Sequence, residues 1–121
     1  LGYSPDALVG DHGAVEVKSR RQKFQIATII NNECPSDFMI QIQTGLLVSE
    51  RKWCDFISFS AGLPMATIRV EENPATQAAI VDAARAFSAS VDSLFEQYSQ
   101  RMASPLSRLV LTERKNLEMF V

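Results

Sequence analysis

The chain has 121 residues, 46% of them apolar, with 12 Lys or Arg against 14 Asp or Glu and a formal charge of −2. That length suits one domain, residues 1–121, with a real core, and the apolar share is ordinary for a soluble globular protein. No stretch reaches the length of a membrane span and no signal peptide is visible; the slightly negative charge limits nonspecific attraction to nucleic acid but not local contacts.

The first element begins at a Ser4-Pro5-Asp6 turn, after which Ala7-Leu8-Val9 is apolar and ends at the turn cluster Gly10-Asp11-His12-Gly13. From Gly13 to Lys18 the pattern alternates as in a half-buried strand. Strand side chains repeat every two residues, so Glu16 and Lys18 share one face while Val15 and Val17 share the other. Together the two runs read as a hairpin.

Register decides whether Asp6 can join Glu16 and Lys18. A two-residue loop at Asp11-His12 pairs Val9 with Ala14 and puts Asp6 on the face opposite Glu16. A three-residue loop, Asp11-His12-Gly13, with Gly13 in the left-handed position, sets Asp6 opposite Lys18 and Glu16 diagonally beside them. A slip of one residue exchanges the faces. The chemistry favours the three-residue loop, because two carboxylates and an amine on one face can hold a hard divalent cation and position a water. The alternative is a surface hairpin whose charges face solvent.

Directly after the strand, Lys18-Ser19-Arg20-Arg21-Gln22-Lys23 concentrates positive charge. It reads either as a set of phosphate contacts through Arg20, Arg21 and Lys23 or as an exposed basic loop. Phe24 to Asn31 is apolar-rich and fits either a short helix or an irregular segment. Pro35-Ser36-Asp37 resembles a helix start with Ser36 or Asp37 as cap. Phe38, Ile42, Leu46 and Leu47 then follow helical spacing as far as Glu50. Gln41 and Gln43 on that helix lie about 200° apart, so they cannot face the same site.

Trp53 to Phe59 reads as a buried strand and Met65 to Val70 as another, joined by Ser60-Ala61-Gly62-Leu63-Pro64. Trp53 is expected at the core or rim and Asp55 at a solvent-facing edge. Past Pro74, the residues Ile80, Ala84, Phe87, Val91, Leu94, Tyr98 and Met102 mark a long amphipathic helix with a narrow apolar seam. Packing on the sheet of its own domain is the favoured use of that seam, with a subunit contact as the alternative. Ser104-Pro105 ends the helix, and Pro105 is expected to open a last one toward Phe120. Cys34 and Cys54 stand apart without metal-type spacing, as unpaired thiols of a reducing cytoplasm.

The Ser4-Pro5-Asp6 turn, the Glu16-Val17-Lys18 strand and the Asp37-Phe38-Met39-Ile40-Gln41-Ile42-Gln43 helix resemble, in order and separation, the lambda exonuclease-like family. This is the phage-type alkaline exonuclease and YqaJ-type viral recombinase branch of the PD-(D/E)xK nucleases. The resemblance extends more weakly through Trp53 to Val70.

It implies an α/β fold with a restriction-endonuclease-like mixed sheet flanked by helices. Residues 1–72 would hold the catalytic sheet and helix, and residues 73–121 a helical C-terminal part. By resemblance Asp6 and Glu16 are metal ligands, with the Val17 carbonyl completing the set around Mg2+ or Mn2+. Lys18 orients the attacking water and offsets transition-state charge, and Gln41 supports the nucleophile. The implied activity is 5′-to-3′ hydrolysis of double-stranded DNA ends in phage-type recombination, in a bacterial or phage-infected cytoplasm. A single-strand annealing protein and further copies of the chain are the implied partners. The family also uses an acidic helix and basic residues upstream of the turn. The chain is therefore expected to correspond to the C-terminal portion of the family fold. Another endonuclease or repair nuclease of the same superfamily, or an inactive DNA-binding or assembly domain, are the alternatives.

Overall fold

The alternating segment is a strand, and it lies inside a mixed sheet. In the computed structural model, which describes residues 1–113, the elements run β1 (Ala7–Val9), β2 (Gly13–Ser19), α1 (Gln22–Asn31), α2 (Ser36–Ser49), β3 (Trp53–Phe59), β4 (Ala66–Glu71) and α3 (Pro74–Ala103). The four strands lie in the order β1-β2-β3-β4. β1 and β2 are antiparallel, β2 and β3 parallel, and β3 and β4 antiparallel. The parallel step requires a crossover, which α1 and α2 supply. The ambiguous Phe24–Asn31 stretch is therefore helical.

The buried face of the sheet carries Ala14 and Glu16 from β2, Cys54, Phe56 and Ser58 from β3, and Val70 from β4. Ile42 and Leu46 of α2 complete the core, with Tyr3, Cys34, Phe38 and Met39 packed around it. Phe56 is fully buried and stacks on Phe38 with ring centroids 5.2 Å apart. Truncating it removes a large, fully buried apolar side chain, so Phe56→Ala is expected to cost about 3–5 kcal/mol. Denaturant unfolding checks this; a drop in stability below about 1 kcal/mol would mean that Phe56 is not central to the core.

Two buried glutamines tie helices to strands. Gln25 Nε2 donates to the carbonyls of Ser58 (2.9 Å) and Pro64 (2.8 Å), holding α1 against the β3–β4 connection. Gln43 Nε2 donates to the Glu71 carbonyl at 2.8 Å while its Oε1 accepts the Asn73 N–H at 2.8 Å. Asn73 Oδ1 in turn accepts the Thr76 N–H at 2.9 Å, satisfying an early donor of α3.

Several expectations are corrected. α2 opens at Ser36 behind Pro35, with no side-chain cap from Ser36 or Asp37. Residues 105–113 are not helical, and the remainder of the expected last helix lies outside the described residues. Apart from these corrections, internal contacts group the chain into two compact units, Leu1–Arg85 and Ala86–Val121. No residue of α3 is buried, and Phe87 is 70% exposed. The apolar seam from Phe87 to Met102 is therefore exposed, and the burial expected of it is not observed.

Candidate active site

The hairpin puts Glu16 on β2 and Asp6 in the bend just before β1. Its register pairs Ala7 with Val15, Leu8 with Ala14 and Val9 with Gly13. The loop has three residues, as expected, but they are Gly10-Asp11-His12. It is Gly10, at φ 53°, that takes the left-handed conformation. Gly13 is an ordinary strand residue whose missing side chain leaves room for the Trp53 ring. Relative to the expected pairing the register shifts by two residues. The parity of the pairing is unchanged, but the ladder ends at Ala7–Val15, so Asp6 meets β2 through its own hydrogen bonds rather than opposite Lys18. The Asp6 N–H donates to the Val15 carbonyl at 3.2 Å, and Asp6 Oδ2 accepts the Val17 N–H at 2.7 Å.

Glu16 is the buried member, 4% exposed. Its Oε1 accepts from Lys18 Nζ at 2.5 Å and from Gln41 Nε2 at 2.6 Å. Two charge-assisted donors on one oxygen compensate for taking the carboxylate out of water. The α2 helix positions both: Gln41 directly, and Lys18 through the Phe38 ring, whose centroid lies 5.6 Å from the ammonium. Gln43, two positions on, points instead to Glu71 and Asn73, as the helical period requires. The structure therefore joins Glu16, Lys18 and Gln41 by hydrogen bonds, and ties Asp6 to the same strand through the Val17 N–H.

The donor set fits a hard cation. Asp6 Oδ1 and Glu16 Oε2 have no hydrogen-bond partner among the described residues. No cluster of three or more His, Cys, Asp or Glu forms among those residues. Two carboxylates are enough for Mg2+, which keeps several waters and takes further oxygens from a phosphate substrate.

The basic residues divide. Arg21 and Lys23 are exposed. Arg20 is half-buried, its guanidinium 5.4 Å from the Phe24 ring centroid and 5.1 Å from that of Phe38. Among the described residues its buried Nη1 has no hydrogen-bond partner, and it lies at the wall of an open cavity of ≈ 430 Å3 between α1 and the start of α2. Asp55 is not part of the centre. It accepts a bidentate pair from Arg69 at 2.8 and 2.9 Å on the opposite face of the sheet, where that guanidinium also stacks on Trp53.

Three contributors have no local sequence signal. Arg51 Nη1 donates to the carbonyls of Gly10 (2.8 Å) and Gly13 (2.7 Å), clamping the hairpin loop from the far end of α2. Phe38 carries both Lys18 and Arg20 on its ring. Tyr3 packs beside the centre, and burial, reinforced by the negative charge of Cys54, Glu16 and Asp6, pushes its phenol up to about 12. Burial likewise pushes the free thiols Cys34 and Cys54 up to about 11.

A mixed sheet with Glu16, Lys18 and Gln41 hydrogen-bonded together on one face carries the groups that the sequence assigned to a nuclease centre. No protein-family model matches the sequence, and no curated protein matches it. Among solved structures the chain is similar to an alkaline exonuclease, LHK-Exo, from Laribacter hongkongensis, at 33% identity and a TM-score of 0.77 over 83% of this chain and 54% of that one. LHK-Exo in complex with dAMP matches equally well, with 53% of that chain covered. The chain thus spans about half the length of the solved structures it matches. The lambda exonuclease-like resemblance read from the sequence is borne out, and these neighbours support a nuclease function.

Proposed function

We propose that the chain carries the metal-dependent phosphodiester-hydrolysing centre of a double-strand DNA exonuclease, acting 5′-to-3′ in phage-type recombination. The observation that carries this reading is Glu16, buried and gripped by Lys18 and Gln41, on the strand whose Val17 N–H donates to Asp6. The alkaline-exonuclease character of the structural neighbours, one of them holding dAMP, supports DNA as the substrate.

Asp6 and Glu16 would hold Mg2+ or Mn2+, with the Val17 carbonyl as a further oxygen. A bound ion supplies Lewis acidity at the phosphoryl oxygens and lowers the pKa of bound water. Lys18 neutralises charge that grows on the phosphoryl group, acting as a fixed clamp. Gln41 holds Glu16 and presents an amide toward the attacking water. In the reaction a water oxygen bonds to phosphorus, one P–O bond breaks, and the products are a phosphate monoester and a hydroxyl.

Arg21 and Lys23 lie at the end of the strand that bears the centre, and we assign them to phosphate contacts on the duplex; Arg20 would contribute from its half-buried position. Removing both exposed cations (Arg21→Ala with Lys23→Ala) is expected to flatten the salt dependence of DNA affinity by about 0.9 for each phosphate no longer neutralised. Titrations at several salt concentrations read this directly, and an unaltered slope removes these residues from the interface. The exposed seam of α3 from Phe87 to Met102 supports assembly of several copies. The free thiols fit a reducing cytoplasm, and among the described residues no helix is long and apolar enough to cross a membrane. A single-strand annealing protein would use the exposed 3′ strand.

Incubation with Mg2+ and linear, nicked or closed-circular duplex DNA tests the reading. Linear DNA should be digested from its ends while closed circles survive. Cutting of closed circles would make the centre an endonuclease, and retention of DNA without cleavage would make the chain a binding module.

A further inference from the structure

Gly45 sits in the middle of α2, where glycine is a poor choice because it gives up the most chain freedom. Its position is buried and explained by one neighbour. A Cβ at Gly45 would lie 2.6 Å from Tyr3 Cζ and 2.7 Å from Tyr3 Cδ2. The ring of Tyr3 therefore occupies the space that any side chain on this turn of α2 would fill. Gly45 is one helical turn beyond Gln41, on the same side of the helix.

Tyr3 precedes Asp6 by three residues. The strand that follows Asp6 is short, Ala7–Val9, and all three of its residues are exposed. Apolar packing within β1 is thus a weak anchor for an Asp6 that is itself exposed. Tyr3, in contrast, packs against the core cluster of α2 and the sheet. One contact connects the segment bearing Asp6 to the helix bearing Gln41, and Gln41 holds Glu16.

We propose that the seating of Tyr3 on Gly45 is a positioning device that fixes Asp6 against Glu16 and so sets the spacing of the two carboxylates. The proposal rests on the metal-centre reading above. Neither residue is catalytic; Tyr3 acts through Asp6, and Gly45 through Tyr3. A methyl group at Gly45 leaves Tyr3 as the group that must move, because the three nearest atoms it would meet belong to the Tyr3 side chain rather than to backbone of the sheet. Its displacement would then be passed to Asp6.

The test compares four chains: the parent, Gly45→Ala, Tyr3→Ala and the double variant. Two readouts are taken, the Mn2+ dissociation constant by calorimetry and hydrogen exchange of individual amides. The Val17 amide reports on Asp6, whose carboxylate accepts its hydrogen bond, and the Phe56 amide in the central strand reports on the fold. Gly45→Ala is expected to weaken Mn2+ binding about 10-fold or more and to speed Val17 exchange, with Phe56 exchange unaltered. In the Tyr3→Ala background the same Gly45→Ala change should have no further effect, which is the non-additivity of two residues in contact. Equal effects in both backgrounds would overturn the proposal, as would Phe56 exchange rising in step with Val17. If Gly45→Ala does not fold, Tyr3→Ala alone decides: faster Val17 exchange supports the device, and unchanged exchange refutes it. A parent chain that binds no Mn2+ would sink the metal-centre reading, while Val17 exchange would still decide whether Tyr3 and Gly45 place Asp6.

Discussion

Asp6→Asn should abolish divalent-cation binding and sharply slow cleavage while leaving the fold intact. Asparagine keeps an oxygen that can accept the Val17 N–H in place of Asp6 Oδ2, so the hairpin retains its tie. The other carboxylate oxygen, which has no partner among the described residues, becomes an amide NH2 that cannot ligate a cation. Asp6 is exposed, and substitutions at such positions alter stability by about 0.5 kcal/mol or less. A divalent ion contributes several kcal/mol of transition-state stabilisation, and each ~1.4 kcal/mol is a factor of ten in rate. Cleavage should therefore fall on the order of 1,000-fold with the melting temperature nearly constant. Calorimetric titration with Mn2+ and a thermal melt check both halves. An unaltered titration would remove Asp6 from the metal site.

Lys18→Ala should separate binding from turnover. The ammonium is 2.5 Å from Glu16 Oε1 and covers the same carboxylate that would face a cation. Deleting it leaves Gln41 as the donor to that oxygen, so cation binding should stay within a few-fold of the parent. Turnover should drop about 100- to 1,000-fold, the usual consequence of removing one preorganised charge-stabilising group. Glu16 is almost fully buried, so removing one of its two donors should also cost about 1–3 kcal/mol of stability. Single-turnover digestion at saturating Mg2+ reads the rate, and denaturant unfolding reads the stability. Digestion at the parent rate would exclude Lys18 from the chemistry.

Much of the centre was legible because strand and helix periods are rigid. The two-residue repeat put Glu16 and Lys18 on one face, and the helical repeat forced Gln41 and Gln43 apart; both hold. The choice of Gln41 came from resemblance, and its amide donates to Glu16 from that position. The hairpin loop was legible in length and parity but not in register. Gly10 and Gly13 flank the same turn, and a sequence does not say which one bends. What distinguishes them is distant: the Trp53 ring fills the space beside Gly13, while the space beside Gly10 is open.

Arg20 shows the same limit of local reading. In a basic run it counts as one more exposed cation, yet Phe24 and Phe38 close around its guanidinium. The long helix was legible from its four- and three-residue steps, since a seam defines a helix whatever covers it. Whether anything covers the seam is tertiary information, and Val91 at 46% exposure and Leu94 at 62% are left open to solvent. Tyr3 and Gly45 were silent for a related reason. A tyrosine before a turn and a glycine in a helix acquire meaning only when the fold sets one on the other.

The central claim is that Asp6 and Glu16 together hold a divalent cation, and Mn2+ is a paramagnetic reporter of where it binds. Substoichiometric Mn2+ added to the isotope-labelled chain should broaden the amide signals of Asp6, Glu16, Val17 and Lys18 first. Amides of β4, two strands away from β2, should follow only at higher concentration. Asp6→Asn should remove that early broadening. Broadening that begins elsewhere, or that Asp6→Asn leaves in place, would contradict the account.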